Sequence, residues 1–582
     1  MGSRNMHTGF GILRTCVAAG LALALTVAPL VGCASASSGS GTSAASAVLT
    51  DEMAATTTAA TTSGNAVTLL DTTDVYSDRD QSGDYDASDA TAITLADGGT
   101  TVTGSGVTVD DSTVTITQAG TYVVSGTLSD GQIVVDAADD AKVQIVLSGT
   151  SVTSADAAAI YVKAADKVFL TLAEGTTNAL ATTGSFADAG DGNNVDGAVF
   201  SKADLTVNGS GSLSVSSAQG HGIVCKDDLV IYGGTVDVTA AGHAMQGKDS
   251  VAIGAGTLKL TAGTDAIHCA NDEDAEKGWV YVSGGTITAT ATSDGIDAGL
   301  FLEVDGGSID VAAADDGLHA EYGLVINGGT ITVSQSSEAL EGSYVSITGG
   351  VIDATATDDG INAAGDPTET SAADGGAVGG GIGGMDENDS TAYVTISGGT
   401  VRVDASGDGI DSNGNLTISG GETYVSGPTN DGNGALDYAG SGTVTGGTII
   451  ATGSTGMAQT LAASGSQGVM LVSASGSAGD SIEVLDSAGN VLCSTTATKQ
   501  FACVVVSCAG LESNGTYTLR VGSSETSVTL SDGSYSDVSG GFGAGGGMGM
   551  GGPGSGGQVP SDTQAPGGSG GQSQAPSSAA QG

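Results

Sequence analysis

The sequence predicts an all-β fold, a parallel β-helix with one coil for about every 22 residues, because two signatures repeat along the chain. Gly-Gly pairs recur, and a short run of alternating apolar and polar residues follows each pair, which is the spacing of a strand. A second signature, Asp-Gly-Ile-Asp and its variants, follows many of these strands. Self-similarity at a period of about 20 to 50 residues is typical of a solenoid, whose repeats bury their apolar faces on one another. The Gly-Gly pairs begin at Gly233, Gly284, Gly306, Gly328, Gly349, Gly398 and Gly420.

The residues within one repeat select the type of solenoid. Their period-two alternation leaves no room for an amphipathic helix, and the regularly spaced leucines of leucine-rich repeats are absent. Gly and Asp-Gly stand where turns need a positive φ. We therefore expect three short strands per coil, with coils stacked about 4.8 Å apart so that like residues form ladders. The 98 glycines and the other small residues suit a narrow core.

The charge balance limits the classes of partner. The chain has 65 acidic and 14 basic residues, for a net charge of −51. Such acidity argues against nucleic acid as a partner, because phosphate contacts need Lys and Arg. It is compatible with bound divalent cations and with a solvated cell-surface protein. The alternative is that most carboxylates serve solubility alone.

The first 33 residues are typical of an export signal. Arg4 and Arg14 precede an apolar run from Cys16 to Leu30. The run is short for a transmembrane helix and ends in Leu30-Val31-Gly32-Cys33. This tetrapeptide matches the bacterial lipobox, so we predict that Cys33 is lipidated and becomes the mature N-terminus. An ordinary cleaved signal peptide with a chance cysteine is the alternative. In both cases the protein is exported, and lipidation would anchor it at the outer face of the bacterial cell membrane.

Composition divides the chain into five segments. After the signal, residues 1–33, we predict a flexible tether over 34–70 that is rich in small residues. The β-helix is expected over 71–456, with insertions after Asn271 and after Gly365. A small β cap is expected over 457–536, where the Gly-Gly period stops and hairpin signals begin. Residues 537–582, rich in Gly, Ser, Gln and Pro, are expected to be disordered.

The cysteines suggest at most one bridge. Cys225 and Cys269 are two coils apart, which is too far for a disulfide, so they are expected to be small buried residues. Near the C-terminus, Cys493 and Cys503 could be bridged across a hairpin in an oxidising compartment.

Three segments and the repeated coils carry a resemblance to a known family: Val75–Asp80, Gly120–Gly126, Asp130–Val135 and the Asp-Gly-Ile-Asp coils. Together they resemble the bacterial carbohydrate-binding β-helix family of clostridial cell-surface proteins, over about residues 71–535. The resemblance implies a right-handed parallel β-helix that binds calcium and acidic or cellulosic plant polysaccharides. That family is similar in structure to pectate lyases but is known mainly for binding.

Stacked coils would bring the acids of the second signature into line. Stacked carboxylates repel one another unless a cation lies between them, and Ca²⁺ accepts about six to eight oxygens in loose geometry. Asp358–Asn362 also approaches the Asp-Asp-x-x-Asp calcium motif of β-helical pectate lyases. The alternative is an Asp-Gly turn repeated for backbone reasons. The candidate calcium ligands are Asp294, Asp297, Asp315, Asp316, Glu338, Glu341, Asp358, Asp359, Asn362, Asp408 and Asp411.

A row of lysines is predicted on an earlier part of the solenoid. Each lies three residues after an inward apolar residue, so they should stack on one face and could bind uronate carboxylates. The alternative is that Asp204, Asp227 and Asp249, which follow closely, neutralise them. The candidate carbohydrate-binding residues are Lys163, Lys202, Lys226 and Lys248.

The sequence favours binding over catalysis. A pectate lyase needs calcium and a basic residue that abstracts a proton, but Arg402 is the only Lys or Arg between Gly278 and Thr498. We therefore predict a cell-surface lipoprotein that binds an acidic or plant-type polysaccharide on a calcium-stabilised β-helix, and we predict no nucleic-acid partner. A calcium-dependent pectate-lyase-like enzyme and a structural adhesin without a sugar ligand are the alternatives. The oligomeric state is left open.

The lipobox generates the first prediction. Replacing Cys33→Ser removes the thiol that would carry the lipid, so the exported protein should leave the membrane fraction and appear in the soluble fraction. Fractionation of cells that express the full chain measures this. Retention of the variant on membranes at the wild-type level would contradict lipid anchoring through Cys33.

Overall fold

The structure of this protein is a computed structural model that describes residues 70–271, 274, 276–365 and 389–538. The signal with Cys33, nearly all of the tether, the insertion after Gly365 and the tail from residue 539 lie outside the described residues. No helix in the described ranges is long and apolar enough to span a membrane.

The described part of the chain is built almost entirely of strands, so the prediction of an all-β fold is confirmed. Its one short helix is α1 (Asp78–Gln81). The first strands are β1 (Thr91–Leu95), β2 (Thr101–Thr103), β3 (Val107–Asp110), β4 (Thr113–Ile116), β5 (Gly120–Leu128), β6 (Gln132–Asp136), β7 (Lys142–Ser154), β8 (Ile160–Ala164), β9 (Lys167–Leu172), β10 (Thr177–Thr182), β11 (Gly197–Ser201), β12 (Asp204–Gly209), β13 (Ser212–Ser217), β14 (His221–Cys225), β15 (Asp228–Ala240), β16 (Met245–Gly247), β17 (Ser250–Ala262), β18 (Ile267–Cys269), β19 (Trp279–Val282), β20 (Thr286–Ala291), β21 (Ile296–Ala298) and β22 (Phe301–Val304).

The second half continues the same alternation of short strands and turns. Its strands are β23 (Ser308–Ala312), β24 (Leu318–Ile326), β25 (Thr330–Gln335), β26 (Leu340–Ile347), β27 (Val351–Ala356), β28 (Ile361–Ala363), β29 (Tyr393–Ile396), β30 (Thr400–Ala405), β31 (Asp411–Ser412), β32 (Asn415–Ile418), β33 (Glu422–Ser426), β34 (Gly442–Val444), β35 (Thr448–Gly453), β36 (Ala462–Ala463), β37 (Val469–Gly476), β38 (Ser481–Leu485), β39 (Val491–Thr496), β40 (Phe501–Ser507), β41 (Thr516–Val521), β42 (Ser524–Thr529) and β43 (Ser534–Ser536).

Most strands pair in parallel with the equivalent strand of the next repeat, and the pairs extend into three columns. Long strands such as β15 and β17 take part in two columns, because their two halves pair with different strands. The first column contains β4, β6, β8, β11, β14, β16, β18, β21, the starts of β24 and β26, β28 and β31; the second contains β1, the starts of β5, β7, β15 and β17, β9, β12, β19, β22, the ends of β24 and β26, β29, β32, β34 and β36; the third contains the ends of β5, β7, β15 and β17, then β10, β13, β20, β23, β25, β27, β30, β33 and β35.

The repeated Gly-Gly pairs mark a turn that only glycine tolerates. Gly307 has a φ of +88°, and a Cβ added there would lie 3.0 Å from the backbone oxygen of Gly284 on the preceding coil. Gly329 repeats this arrangement against Gly306, with a φ of +87°. The turn therefore needs both a positive φ and a close approach between successive coils, which explains the period of the pairs.

The core lies between the three columns and is filled by one apolar side chain above another. On the third column, the inward residues Ile287, Ile309, Ile331, Ile352 and Val401 are at most 1% exposed. Successive pairings put each of them directly above the last. Cys225 and Cys269 occupy the same kind of position, both unbridged and separated by Gly247, as the spacing predicts.

The C-terminal strands change to antiparallel pairing. Strand β40 pairs antiparallel with β35, the last strand of the third column, and with β37. A separate four-stranded antiparallel sheet has the order β39-β38-β41-β42. These strands enclose a second apolar cluster that includes Ile450 of β35, so the exposed edge of the last coil is covered.

The bridge that could form between Cys493 and Cys503 is absent from the structure. The Cys503 thiol lies 2.9 Å from the Ser454 carbonyl oxygen, and both cysteines are free. The neighbour of Cys493 is instead Cys508, and this contact raises the pKa of the Cys493 thiol. Cys493 lies on β39, which pairs with β38, whereas Cys503 lies on β40, which pairs with β35 and β37.

An N-terminal strap, residues 70–85, crosses the outer face of the second column over many coils. At one end the Leu70 backbone N–H donates to Glu303 Oε2 at 2.9 Å. In the middle, the Tyr76 hydroxyl lies 3.1 Å from Ser283 Oγ. At the other end, Gln144 Nε2 donates to the backbone oxygen of Asp84 at 3.3 Å.

Asp80 anchors the strap in a buried ion pair. Its Oδ1 lies 2.8 Å from Lys167 Nζ, and its side chain is 2% exposed. Ser77 and Thr206 also donate hydrogen bonds to the carboxylate. Burial by itself would raise the pKa of Asp80, but the hydrogen bonds from Lys167, Ser77 and Thr206 hold the pKa below its ordinary value.

We expect Asp80→Ala to lower the free energy of unfolding by about 3 to 5 kcal/mol, because Lys167 is left buried without its partner. Denaturant unfolding of the exported chain measures this, and Asp78→Ala, an exposed acid in the same helical turn, is the control. Because the folded pKa is depressed, the Asp80 contribution is present above its ordinary pKa of about 3.9 and is lost as the pH falls below that value. Equal stability of the two variants would show that the ion pair contributes nothing.

Candidate functional site

The outer face of the first column carries a long row of side chains in register, which we call the central row. Each member pairs with the next one coil away. The first part of the row is mainly apolar and aromatic, and the second part consists of histidines, acids and an amide. The row is Val134, Tyr161, Phe200, Val224, Gln246, His268, Asp297, His319, Glu341, Asn362 and Asp411.

The predicted lysines form a second row beside the apolar part of the central row. The backbone N–H of Lys202 donates to Val162 on the preceding coil at 3.0 Å, that of Lys226 to Ser201 at 2.7 Å, and that of Lys248 to Cys225 at 2.9 Å. Each of these acceptors directly precedes the position of the lysine on its coil. Successive lysines are therefore stacked one coil apart, as the sequence predicts. This lysine row is Lys163, Lys202, Lys226 and Lys248.

Two lysines of the row have acidic partners. Lys163 Nζ lies 3.0 Å from Asp136 Oδ2 on the previous coil. Lys226 Nζ lies 3.9 Å from Asp196 Oδ1, and 5.4 Å from the centroid of the Phe200 ring. Both contacts are partly exposed, so each ion pair contributes little to stability.

The other two lysines are exposed and unpaired. Among the residues that the structure describes, Lys202 and Lys248 form no ion pair. The alternative that the following acid neutralises the row fails at Lys248, because Asp249 lies against Lys277 Nζ at 2.5 Å instead. The row therefore presents positive charge to solvent in a strongly acidic protein.

The predicted acids line up on the same column, in a row that we call the acid row. The backbone N–H of Gly295 donates to Asp316 O, and that of Gly317 to Glu338 O, both at 2.9 Å. The same pattern continues in both directions, so one acid lies above the next on successive coils. The row contains Asp265, Asp294, Asp316, Glu338, Asp359 and Asp408.

Several carboxylates of the acid row accept a backbone N–H from the next coil. Asp294 Oδ1 accepts from Asp316 at 2.8 Å, and Asp359 Oδ1 accepts from Asp408 at 2.6 Å. Burial raises the pKa of Asp294 and Asp359 to about 6, and that of Asp408 to about 7. Part of the repeated signature is thus explained by turn geometry, as the alternative proposed.

Asp316 departs from this pattern. Its side-chain Oδ1 is buried and has no hydrogen-bond partner among the described residues, and the residue is 8% exposed. Burial, with the neighbouring carboxylates of Glu341, Asp294 and Glu338, raises its pKa to about 10. An oxygen of Asp315 also lies within 4.8 Å of oxygens of Asp294 and Asp316. A backbone turn does not account for so many acids around one buried oxygen.

Asp297 is engaged by two histidines. His268 Nδ1 lies 2.7 Å from Asp297 Oδ2, and His319 Nδ1 lies 2.9 Å from Oδ1. Burial by itself would raise the pKa of Asp297, but these two hydrogen bonds hold the pKa far below its ordinary value. In return, the bond to Asp297 outweighs the effect of burial and raises the pKa of His319 to about 9. Both oxygens of Asp297 are therefore used within the protein, which disfavours it as an ion ligand.

The remaining candidates lie at the edges of these rows. Asp315 and Asp358 directly precede members of the acid row and are exposed. Asn362 donates to Glu341 Oε1 at 3.0 Å, and Asp411 pairs in register with Asn362 at the end of the central row. All eleven predicted ligands therefore lie on one face, but they do not form one uniform site.

The sequence analysis missed an aromatic row on the second column. Trp279 pairs with Phe301, and Tyr344 with Tyr393, whose rings stack at 4.8 Å. Tyr322 lies between the two pairs, 5.3 Å from the Phe301 ring and 5.8 Å from the Tyr344 ring. Each of these residues lies at or near the start of a second-column segment, so their spacing is the signal that could have revealed the row.

Comparisons with known proteins match this chain to a family of carbohydrate-binding proteins. A family model described as carbohydrate-binding domain-containing protein matches residues 110–365 and 300–432. Together the two matches run from residue 110 to residue 432, which is more than half of the 582 residues. Both the lysine row and the acid row lie within this range.

Two known proteins are similar to part of this chain. A carbohydrate-binding domain-containing protein of Acetivibrio thermocellus is 38% identical over 137 residues, which are 23% of this chain and 48% of that protein. The alignment thus spans about half the length of that relative. A solved structure, titled as the polysaccharide lyase-like protein from C. thermocellum in a gadolinium derivative, is 32% identical and covers 42% of this chain and 93% of its own, with a TM-score of 0.36.

Proposed function

The chain belongs to the carbohydrate-binding domain-containing protein family, and on this premise we propose that it binds an acidic polysaccharide along the outer face of the first column. The observation that carries the proposal is the lysine row, in which four cations lie on successive coils and two are exposed and unpaired. A polymer that lies along the axis of the columns would meet one lysine at each coil.

The charge of the protein makes this row selective. Elsewhere the surface is dominated by carboxylates, which repel an anionic polymer, while the row offers donors that bind carboxylates in charge-assisted hydrogen bonds. Tyr161 and Phe200 lie beside the lysines on the central row. Both rings are at most 5% exposed, so a uronate polymer would meet the positive charge of the lysines and not these aromatic faces.

We propose that calcium occupies the acid row around Asp316. The support is the buried Oδ1 without a partner, surrounded by the carboxylates of Asp294, Asp315, Glu338 and Glu341. Ca²⁺ prefers carboxylate oxygens and accepts irregular geometry. A bound ion would also offset the repulsion between these acids and could coordinate a carboxylate of the same polymer.

We further propose that the three columns wind as a right-handed parallel β-helix. The parallel in-register pairing supports this, because parallel connections within a sheet are right-handed in nearly all proteins. Export and lipidation at Cys33 would place this β-helix at the outer face of the cell membrane, where polysaccharides are accessible.

A lyase activity is not proposed. Arg402, the basic residue that the sequence offers for proton abstraction, lies on the third column, while the acid row lies on the first. Arg402 therefore does not lie on the face of the first column, where the ion is proposed.

The polysaccharide proposal is tested with the triple variant Lys202→Gln, Lys226→Gln, Lys248→Gln. We expect weaker binding to polygalacturonate and a smaller loss of affinity with added salt, because three lysine contacts with uronate carboxylates are removed and exposed ion contacts are screened by salt. Binding is measured by calorimetry on the exported chain in calcium.

Lys142→Gln is the matched control, since Lys142 is an exposed lysine that pairs with Asp166 on the second column. Affinity of the triple variant equal to that of wild type would show that the lysine row is surface charge without a binding role. An equal loss in the control would show a general charge effect.

The calcium proposal is tested by calorimetric melting with calcium and with chelator. Calcium at 100 times its dissociation constant should add about 2.7 kcal/mol of stability if it binds only the folded state. Asp316→Asn should lose most of this gain, while Asp310→Asn, an exposed acid on the third column, should keep it.

The same variant should behave differently in chelator. The pKa of Asp316 is raised to about 10, so the folded chain holds a proton that the unfolded chain releases above pH of about 3.9. Asp316 therefore reduces stability progressively as the pH rises from about 4 towards 10, and Asp316→Asn should remove this fall. Superimposable wild-type melting curves with calcium and with chelator would contradict the proposal that calcium binds at the acid row.

A further inference from the structure

A cleft of about 450 Å³ lies where the outer face of the third column meets the C-terminal antiparallel sheet. The third column supplies the floor, with Arg402 and Tyr424 on successive coils. The C-terminal segment supplies one wall, with Ile482 of β38 and the run from Thr495 to Thr498. The size is within the range of about 300 to 1,000 Å³ that is usual for ligand sites.

Arg402 presents unused hydrogen-bond donors to this cleft. Its side chain is 52% exposed, and its guanidinium Nη1 lies 3.8 Å from Asp353 Oδ1, which is beyond hydrogen-bond distance. The guanidinium carbon lies 5.5 Å from the centroid of the Tyr424 ring, so the arginine is held beside an aromatic face. A flat cation in this position is suited to bind a carboxylate through two parallel hydrogen bonds.

Of the other charged groups at the cleft, Asp353 flanks Arg402 at 3.8 Å, and Asp404 is paired with Lys499. Lys499 Nζ lies 2.8 Å from Asp404 Oδ1, and Thr498 Oγ1 donates to Asp404 Oδ2 at 2.7 Å. Both oxygens of Asp404 therefore have hydrogen-bond partners, and Lys499 is neutralised by its ion pair with Asp404. Arg402 is left as the cation at this cleft that a ligand can reach.

The remaining lining has the chemistry of a sugar site. The half-buried Tyr424 ring offers an aromatic surface, and it packs against the C-terminal apolar cluster that contains the buried Ile450 and Ile482. Thr355, Thr495 and Thr496 add hydroxyl groups around them. An apolar surface with a few converging polar groups is typical of small-ligand sites, and a sugar ring carries one apolar face and a rim of hydroxyls.

We propose that this cleft binds one or a few units of an acidic sugar, with the uronate carboxylate on Arg402 and a ring face on Tyr424. The inference rests on the proposed function for its ligand class but assigns a separate site on a different column. The cleft also needs the C-terminal strands, which lie beyond residue 432, where the family match ends. It would therefore be a feature that this chain adds to the matched region.

The test compares an α-1,4-linked galacturonate trimer with the corresponding neutral galactose trimer, by calorimetry on the exported chain. Wild type should bind the acidic trimer more tightly. Arg402→Gln should weaken the acidic trimer at least tenfold and leave the neutral trimer unchanged, because a charge-assisted pair is removed. Thr496→Glu, on the C-terminal wall, should also weaken the acidic trimer by placing a like charge in the cleft.

Lys259→Gln is the matched control. Lys259 lies on the same outward row of the third column as Arg402 and is likewise exposed beside an acid of the preceding coil, 3.2 Å from Asp237. The control should bind both trimers as wild type does. Each variant is first shown to melt at the wild-type temperature, so that loss of binding is not loss of folding.

The outcomes separate this inference from the proposed function. If wild type binds polygalacturonate but not the trimer, or if Arg402→Gln keeps full affinity for the trimer, the cleft is not a uronate site and the lysine row can still bind the polymer. If Arg402→Gln and Lys259→Gln lose affinity equally, the effect is general charge and the inference falls. If the trimer binds through Arg402 while the lysine variant binds the polymer normally, the cleft stands and the lysine row fails.

Discussion

The structure depends on the in-register parallel stacking of one coil on the next. Once β18, β21 and β24 pair residue by residue, every side chain is placed directly above its equivalent. An apolar residue then forms a continuous core, and a charged residue forms a line of charge. The same constraint that makes the interior easy to fill makes the exterior difficult, because like charges are brought together at every coil.

The first column shows how this chain resolves the difficulty. Where His268 and His319 flank Asp297, charges of opposite sign alternate along the row. Where Asp359 accepts the N–H of Asp408, the backbone supplies the compensating dipole. At Asp316 the buried Oδ1 has no hydrogen-bond partner among the described residues, and the pKa is raised most strongly there. The position that we propose for the cation thus differs from Asp294 and Asp359, whose carboxylates each accept a backbone N–H.

The sequence alone predicts which side chains stack within the repeat. It does not predict contacts between the repeat and segments that have no period. The spacing of Lys202, Lys226 and Lys248 predicts their stacking, because equal separations must meet on equal positions. The contact of Arg402 with Tyr424 follows from the same rule, but the wall of their cleft comes from β38 and β39, which follow no period. The spacing of a repeat therefore does not indicate where a segment outside the repeat packs.

The N-terminal strap changes how such a chain can come apart. In a simple stack of repeats each coil holds only its two neighbours, so the ends fray and unfolding spreads coil by coil. The strap joins the coil of Gln144 to the coil of Glu303 by way of the buried Asp80. If a coil between these two opens, the contacts between the strap and the second column are broken there. That stretch should therefore open as one cooperative block, and a load applied at Leu70 would enter the stack at the coil of Glu303.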